Sequence, residues 1–324
     1  MKILVTGCAG FIGYHLCLKL LEKNKHKVYG LDNISNYYDV KLKNSRLKNL
    51  KEHPNKFYFH KIDIENFNKL KNNFKNNNYD YVIHLAAQAG VRASIQKPSQ
   101  YVRNNLIGFF NVLEISKIFK IKHLGFASTS SVYGSTKKFP LSEDNNTDKP
   151  LSFYAATKKS NELMAYSYSN IHKLPCTGLR LFTVYGPYGR PDMSLFKFTK
   201  AIFNSNKIDL FNRGNHVRDF TYIDDTVNAI SKIIFLPSKK KIPFSVFNVA
   251  SSNPKNLKLF LNIIEKVIGK KSLINYLKMQ PGDVYKTHGS IKRLSKKINY
   301  KPKIKISKGI ERFIKWYKKY YKIN

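Results

Sequence analysis

At 324 residues, 42% of them hydrophobic, the chain is long enough for one large domain or two closely packed ones around a substantial core. Its formal charge is +38, but only nine of the 58 basic residues are arginine. With no basic cluster interleaved with aromatics, the lysines read as solvated surface rather than a specific nucleic-acid site, though a positive field would help recruit an anionic ligand. Three cysteines, Cys8, Cys17 and Cys176, fit neither a disulfide framework nor a metal site, and no apolar run approaches the ~20 residues that span a bilayer.

Lys2-Ile3-Leu4-Val5-Thr6 is an apolar run that predicts a buried strand. Met1-Lys2 leads straight into it without a signal peptide, so a cytoplasmic protein with no membrane partner is expected. Gly7, Gly10 and Gly13 follow in a G-x-x-G-x-x-G pattern and open an apolar-periodic helix over 11–21 that includes Phe11 and Ile12. Between a strand and a helix, such glycines let the backbone turn tightly and approach a pyrophosphate at the helix N-terminus. A second strand, 27–31, ends on Asp32 with Asn33 beside it. An acid there accepts hydrogen bonds from a ribose 2′-hydroxyl and repels a 2′-phosphate, which favours NAD over NADP. The third strand, 57–61, leads to Asp63 and Ile64 at an adenine position. The fourth, 81–84, runs into Leu85, Ala86 and Ala87, small enough for a cofactor to lie against the backbone.

A helix is expected over 101–119, with Asn105 on it. A fifth strand over 123–127 delivers Ser128-Thr129-Ser130-Ser131-Val132-Tyr133-Gly134. Tyr154 and Lys158 follow, four residues apart, and on a helix they share a face. A phenol ordinarily titrates near pH ~10; a neighbouring cation favours the phenolate and makes it a base for a sugar hydroxyl. Downstream come Thr183 after a sixth strand, Arg190, an amphipathic helix with Phe196, Phe198 and Ile202, then Arg218 and Asp283, and an aromatic-rich helix over 313–321. Glu143-Asp144 reads as a solvated pair, Asp224-Asp225 as a helix cap, and His15 and His84 as packed side chains. Arg213 reads equally as surface charge or an anion contact.

This alternation predicts an α/β doubly wound parallel sheet, a Rossmann fold. The expected NAD-binding domain is 1–185 with 223–250 returning to it, and the expected smaller α/β substrate domain is 186–222 with 251–324.

The glycine loop, the serine/threonine-rich turn ending in Val132-Tyr133-Gly134 and Tyr154-Ala-Ala-Thr-Lys158 occur in the order found in the extended short-chain dehydrogenase/reductases, which the chain resembles over essentially its whole length. The resemblance implies NAD as cofactor, with Asn105 among its contacts, and a catalytic set of Thr129, Tyr154 and Lys158. Thr129 would bond the reacting hydroxyl, Tyr154 serve as acid/base and Lys158 hold the nicotinamide ribose. It also implies a homodimer through the helices at 101–119 and from 154 onward, where Leu106, Phe109, Phe110 and Leu163 serve equally as interface or core.

Nucleotide-sugar 4,6-dehydratases carry an Asp-Glu pair where this chain has Ser130-Ser131, and UDP-glucuronate decarboxylases a glutamate at Ser131. Thr183-Val-Tyr-Gly, Arg190-Pro-Asp-Met and Gln280-Pro-Gly-Asp283 together resemble the UDP-glucuronate 4-epimerases. The resemblance implies oxidation at C4, turning of the 4-keto ring and return of the hydride to its opposite face, converting UDP-glucuronate to UDP-galacturonate. Arg218 would bind the diphosphate and Asp283 the uridine ribose. Ser130, Ser131 and Thr183, with Arg190 nearby, would hold the sugar carboxylate. A 4-epimerase acting on UDP-glucose or UDP-N-acetylglucosamine, and a catalytically silent nucleotide-binding protein, stand as alternatives.

Overall fold

The computed structural model describes residues 1–22, 25–280 and 282–323. In chain order its strands are β1 (Lys2–Thr6), β2 (Lys27–Asp32), β3 (Phe57–Lys61), β4 (Tyr81–His84), β5 (His123–Thr129), β6 (Cys176–Leu181), β7 (Thr183–Tyr185), β8 (Lys207–Phe211), β9 (Val217–Arg218), β10 (Phe220–Tyr222), β11 (Phe244–Val249), β12 (Lys255–Asn256) and β13 (Leu273–Leu277). Seven of them form a parallel sheet in the order β11-β6-β5-β4-β1-β2-β3. Helices cover both faces, so the central strands are apolar without alternation. Ile3 and Val5 pack into one layer with the helix Phe11–Leu21, while Leu4 faces the other with the helix Gly108–Ile118. This is the doubly wound Rossmann architecture expected from the sequence. The strand order reverses between β1 and β4, and in open α/β sheets ligands bind at such a switch point, outside the strands' carboxyl ends.

The remaining strands pair as β7 with β10 and β8 with β13, both parallel, and β9 with β12, antiparallel. β11 returns to the main sheet beside β6. β7 and β10 come from opposite sides of the expected domain boundary, so that short pair joins the two segments. The first apolar layer continues through Tyr185, Phe220 and Phe260 to Phe313. No helix of the described residues is long and apolar enough to cross a membrane.

Several local expectations are corrected. β5 runs on to Thr129, carrying the serine/threonine-rich turn on a rigid strand end. The expected 101–119 helix is divided: Val102–Ile107 is π-helical and Gly108–Ile118 α-helical. Asn161 donates its side-chain amide to the Asn105 carbonyl at 2.6 Å, and a donor inserted into the ladder widens the turn. The last helix is Ile306–Tyr321; its basic first turns mask an apolar stripe that already includes Ile310. Glu143 is half-buried and structurally engaged, its carboxylate accepting the Asn248 N–H at 2.8 Å, whereas Asp144 is exposed. Asp224 and Asp225 stand in the first turn of the helix Ile223–Ile233, whose N-cap is Tyr222. Asp225 instead accepts the backbone N–H groups of Lys303 and Ile304, each at 3.1 Å.

Candidate active site

The glycine loop lies at the switch point. Gly7 has φ +72°, and a Cβ there would stand 2.7 Å from the Ala86 nitrogen; one on Gly13 would run into the Gly7 carbonyl oxygen. The loop therefore presses against the Leu85–Ala86 backbone, and only glycine leaves this cradle open. Asp32, at the end of β2, is buried, and its carboxylate accepts N–H bonds from Ala9 at 3.1 Å and Ile34 at 2.8 Å. Burial pushes its carboxyl up, opposed by those two bonds and the nearby charges of Lys43 and Arg46. Asn33 donates to Asp63 at 2.8 Å, so these two expected cofactor residues form one unit, and Ile64 beside them is buried. The residues present thus fit NAD. Asp32→Ala should cost about tenfold or more in NAD affinity, read by calorimetry; unchanged affinity would exclude Asp32 from the cofactor site.

Asn105 is not a surface asparagine. It is buried, accepts the Gln88 N–H at 2.8 Å, and donates to the Gln88 carbonyl at 3.0 Å and to the Thr157 hydroxyl at 3.1 Å. Its amide braces the strand-end loop against the helix that carries Thr157.

That helix is Phe153–His172, capped by the Ser152 hydroxyl, which accepts the Ala155 N–H. One turn separates Tyr154 from Lys158, and both point at the end of β5. Thr129 stands within hydrogen-bonding reach of the Tyr154 phenol. Burial raises the phenol's pKa, while this bond and the positive charge of Arg190 lower it. Thr129 also accepts the Ser131 N–H at 3.2 Å, so it caps the short turn Ser130–Tyr133 as well as meeting the phenol. Lys158 is 2% exposed. Its ammonium donates to the Ala127 carbonyl at 3.0 Å, and burial pushes it down to about 8. This centre can hold a proton on a phenol and exchange it with a hydroxyl placed against Thr129.

Beside it opens a cleft with about 490 Å³ of empty space. Ser130, Ser131, Thr183, Arg218 and Asp283 line it, joined by Val91, Ser152 and Thr287. Five expected substrate residues, scattered over more than 150 positions, are thereby brought together. The sixth, Arg190, is placed differently: its guanidinium is bidentate on Asp192, 3.0 Å from one oxygen and 2.5 Å from the other, and it reaches the Ala89 carbonyl at 3.3 Å. It flanks Thr183 in an adjoining apolar cavity with Met193 and Phe196. Of the Gln280–Asp283 segment, Pro281 lies outside the described residues. Arg213 is exposed at φ +49°.

One residue at the cleft was missed. Arg92 lies 3.6 Å from Asp283 and stacks 4.5 Å over the Phe211 ring, and its charge acts on Arg218. Its signal was its type, an arginine in a chain whose basic residues are mostly lysine, directly after the small-residue loop that ends β4.

A model of the family described as GDP-mannose 4,6 dehydratase matches residues 4–313. Protein CapI of Staphylococcus aureus is 48% identical over 337 residues, covering 99% of this chain and all of the relative. The UDP-glucuronate 4-epimerase of Thermodesulfobacterium geofontis is 44% identical, with 97% and 95% covered. The crystal structure of UDP-glucuronic acid 4-epimerase from Bacillus cereus, in complex with UDP-glucuronic acid and NAD, superposes with a TM-score of 0.92 at 36% identity, covering 99% of this chain and all of that one. The chain belongs to the nucleotide-sugar epimerase and dehydratase family of extended short-chain dehydrogenase/reductases, the family of the UDP-glucuronate 4-epimerases.

Proposed function

We propose that this protein epimerises UDP-glucuronate at C4 to UDP-galacturonate. The observation that carries the reading is the convergence of three neutral hydroxyls, Ser130, Ser131 and Thr183, with Arg218 and Asp283 in one cleft beside Tyr154 and Thr129. Bound NAD supplies a hydride acceptor and donor for C4. Tyr154 takes the C4 hydroxyl proton and later returns it; Thr129 donates to the phenolate and orients the hydroxyl. Lys158, buried and anchored on Ala127, holds a ribose and adds positive charge below the phenol. Gly7, Gly10 and Gly13, with Asp32, Asp63 and the Leu85–Ala87 backbone, form the cofactor cradle. Arg218, seconded by Arg92, takes the diphosphate, and Asp283 the ribose of the uridine.

The cleft also accounts for what the enzyme avoids. With hydroxyls at 130 and 131, no acid/base pair is available there for elimination. A 4-keto uronate is a β-keto acid and loses CO₂ when its carboxylate bond aligns with the carbonyl π system. Neutral donors that fix the carboxylate out of that alignment suppress the loss. Purified protein should be incubated in parallel with UDP-glucuronate, UDP-glucose and UDP-N-acetylglucosamine and followed by NMR. Fastest conversion of the uronate, without CO₂ release, is expected; faster turnover of a neutral sugar would overturn the carboxylate assignment.

The active form proposed is a homodimer. Of the four expected interface residues Phe109 is core, whereas Phe110 and Leu163 are 44% and 58% exposed, and Tyr166, three residues after Leu163 on the same helix, is exposed as well. Light scattering should give twice the 37.6 kDa chain mass, and a monomer would contradict this. The proposed compartment is the cytoplasm, checked by fractionation; recovery in a membrane or secreted fraction would contradict it.

A further inference from the structure

The helix that carries Tyr154 and Lys158 presents a third residue on the same face, Glu162, one more turn along. Tyr154 meets Thr129, Lys158 binds the Ala127 carbonyl, and Glu162 accepts the Ser128 hydroxyl at 2.6 Å. Two consecutive residues of β5, Ala127 and Ser128, are thus bonded by successive turns of the helix, and the next, Thr129, lies beside Tyr154.

Glu162 is also half of a buried ion pair. Arg180 donates to both its oxygens, at 2.9 and 2.8 Å, and each side chain is 5% exposed. Arg180 and Ser128 are register partners on the adjacent strands β6 and β5. Arg180 further lies over the Tyr133 ring, 4.8 Å from its centroid, and the Tyr133 hydroxyl donates to Asn248 on β11 at 2.6 Å. The network therefore joins the catalytic helix, the strand end and the turn Ser130–Tyr133. A buried ion pair is an expensive way to gain stability, since apolar residues of equal volume often do as well. Its directional bonds offer placement instead.

We propose that Glu162, held by Arg180, is a positioning residue that acts through the Ser128 hydroxyl to place Thr129 against Tyr154. The proposal rests on the epimerase reading for its consequence in turnover, but the placement is a property of the protein alone. Ser128→Ala removes the grip while leaving Glu162 paired with Arg180, so the fold is retained. It should lower kcat about tenfold, because small misplacements of reacting groups are costly, with KM and NAD content unchanged. Because Thr129 holds the Tyr154 phenol's pKa down, the acid limb of the pH–kcat profile should move upward. Glu162→Gln should move kcat and the acid limb the same way while also lowering Tm, because it leaves Arg180 without its charge partner, and the double variant should lose no more kcat than the worse single one.

A merely structural role would lower Tm and leave kcat and the acid limb in place, and that result would overturn the proposal. Ultraviolet difference titration of Tyr154, against a Tyr154→Phe background, reads the placement without turnover. If the wild-type protein fails to convert UDP-glucuronate, the epimerase reading falls, and an unmoved phenol titration in Ser128→Ala would still refute the positioning separately.

Discussion

Tyr154→Phe should lower turnover of UDP-glucuronate by about a thousandfold, with nucleotide-sugar affinity changed little, because general acid–base groups contribute about 10² to 10⁴ in rate. The phenol oxygen stands next to Thr129 and within the field of Arg190. Removing that single oxygen leaves the ring, its packing and its edge-on contact with Tyr101, 6.1 Å away between centroids. The fold should therefore be unaffected, as a wild-type melting curve would verify. Thr129 cannot substitute as base, because its hydroxyl is far too weakly acidic at neutral pH. Residual activity within tenfold of wild type would mean that the proton leaves by another route.

The second large effect concerns selectivity. Thr183→Val keeps the shape of the side chain and deletes one hydroxyl donor from the cleft shared with Ser130 and Ser131. A hydrogen bond to a charged group is worth about 1.5–3 kcal/mol, so kcat/KM for UDP-glucuronate should fall roughly 10- to 100-fold. UDP-glucose has no carboxylate, and its kcat/KM should fall by only about fivefold, on the scale of a neutral hydrogen bond of about 1 kcal/mol. Loss of the same donor should also loosen the carboxylate, so more CO₂ should appear per turnover. Equal losses on both sugars would refute the carboxylate role of Thr183.

The sheet and the cofactor cradle were legible in the sequence because they depend on local signals. Apolar runs buried on both faces, glycines required by a close backbone approach, and an acid at a strand end all lie within one βαβ unit. The Tyr154–Lys158 pair was legible for the same reason, since helical spacing alone places both groups. What the sequence did not show depends on contacts between distant segments. Nothing near Glu143 marks it as the acceptor for Asn248, and nothing near Asn105 shows that Asn161 opens its turn. The Asp192 carboxylate that takes the Arg190 guanidinium stands only two residues away, yet spacing does not reveal which acid a given arginine will choose.

Residue type carried a signal that spacing did not. In a chain where lysine supplies almost all the positive charge, five of the nine arginines, Arg46, Arg92, Arg180, Arg190 and Arg218, lie at or directly beneath the site. Arg46 is fully buried and donates to the Ala9 carbonyl of the glycine loop at 2.7 Å and to the Tyr188 carbonyl at 2.6 Å. Arg180 forks onto Glu162, and Arg190 onto Asp192. Each uses the planar, multiply donating guanidinium where a lysine ammonium would leave acceptors unmatched.

The most direct test of the central claim follows the hydrogen at C4. UDP-glucuronate deuterated at C4 should yield UDP-galacturonate that keeps its deuterium at C4 in ordinary water, with the mass of the sugar unchanged through repeated turnovers. Retention is what removal and return of the C4 hydrogen within one closed site predicts. Loss of the label to solvent would mean that the carbon is deprotonated instead, and would contradict the account in which Tyr154 handles only the hydroxyl proton.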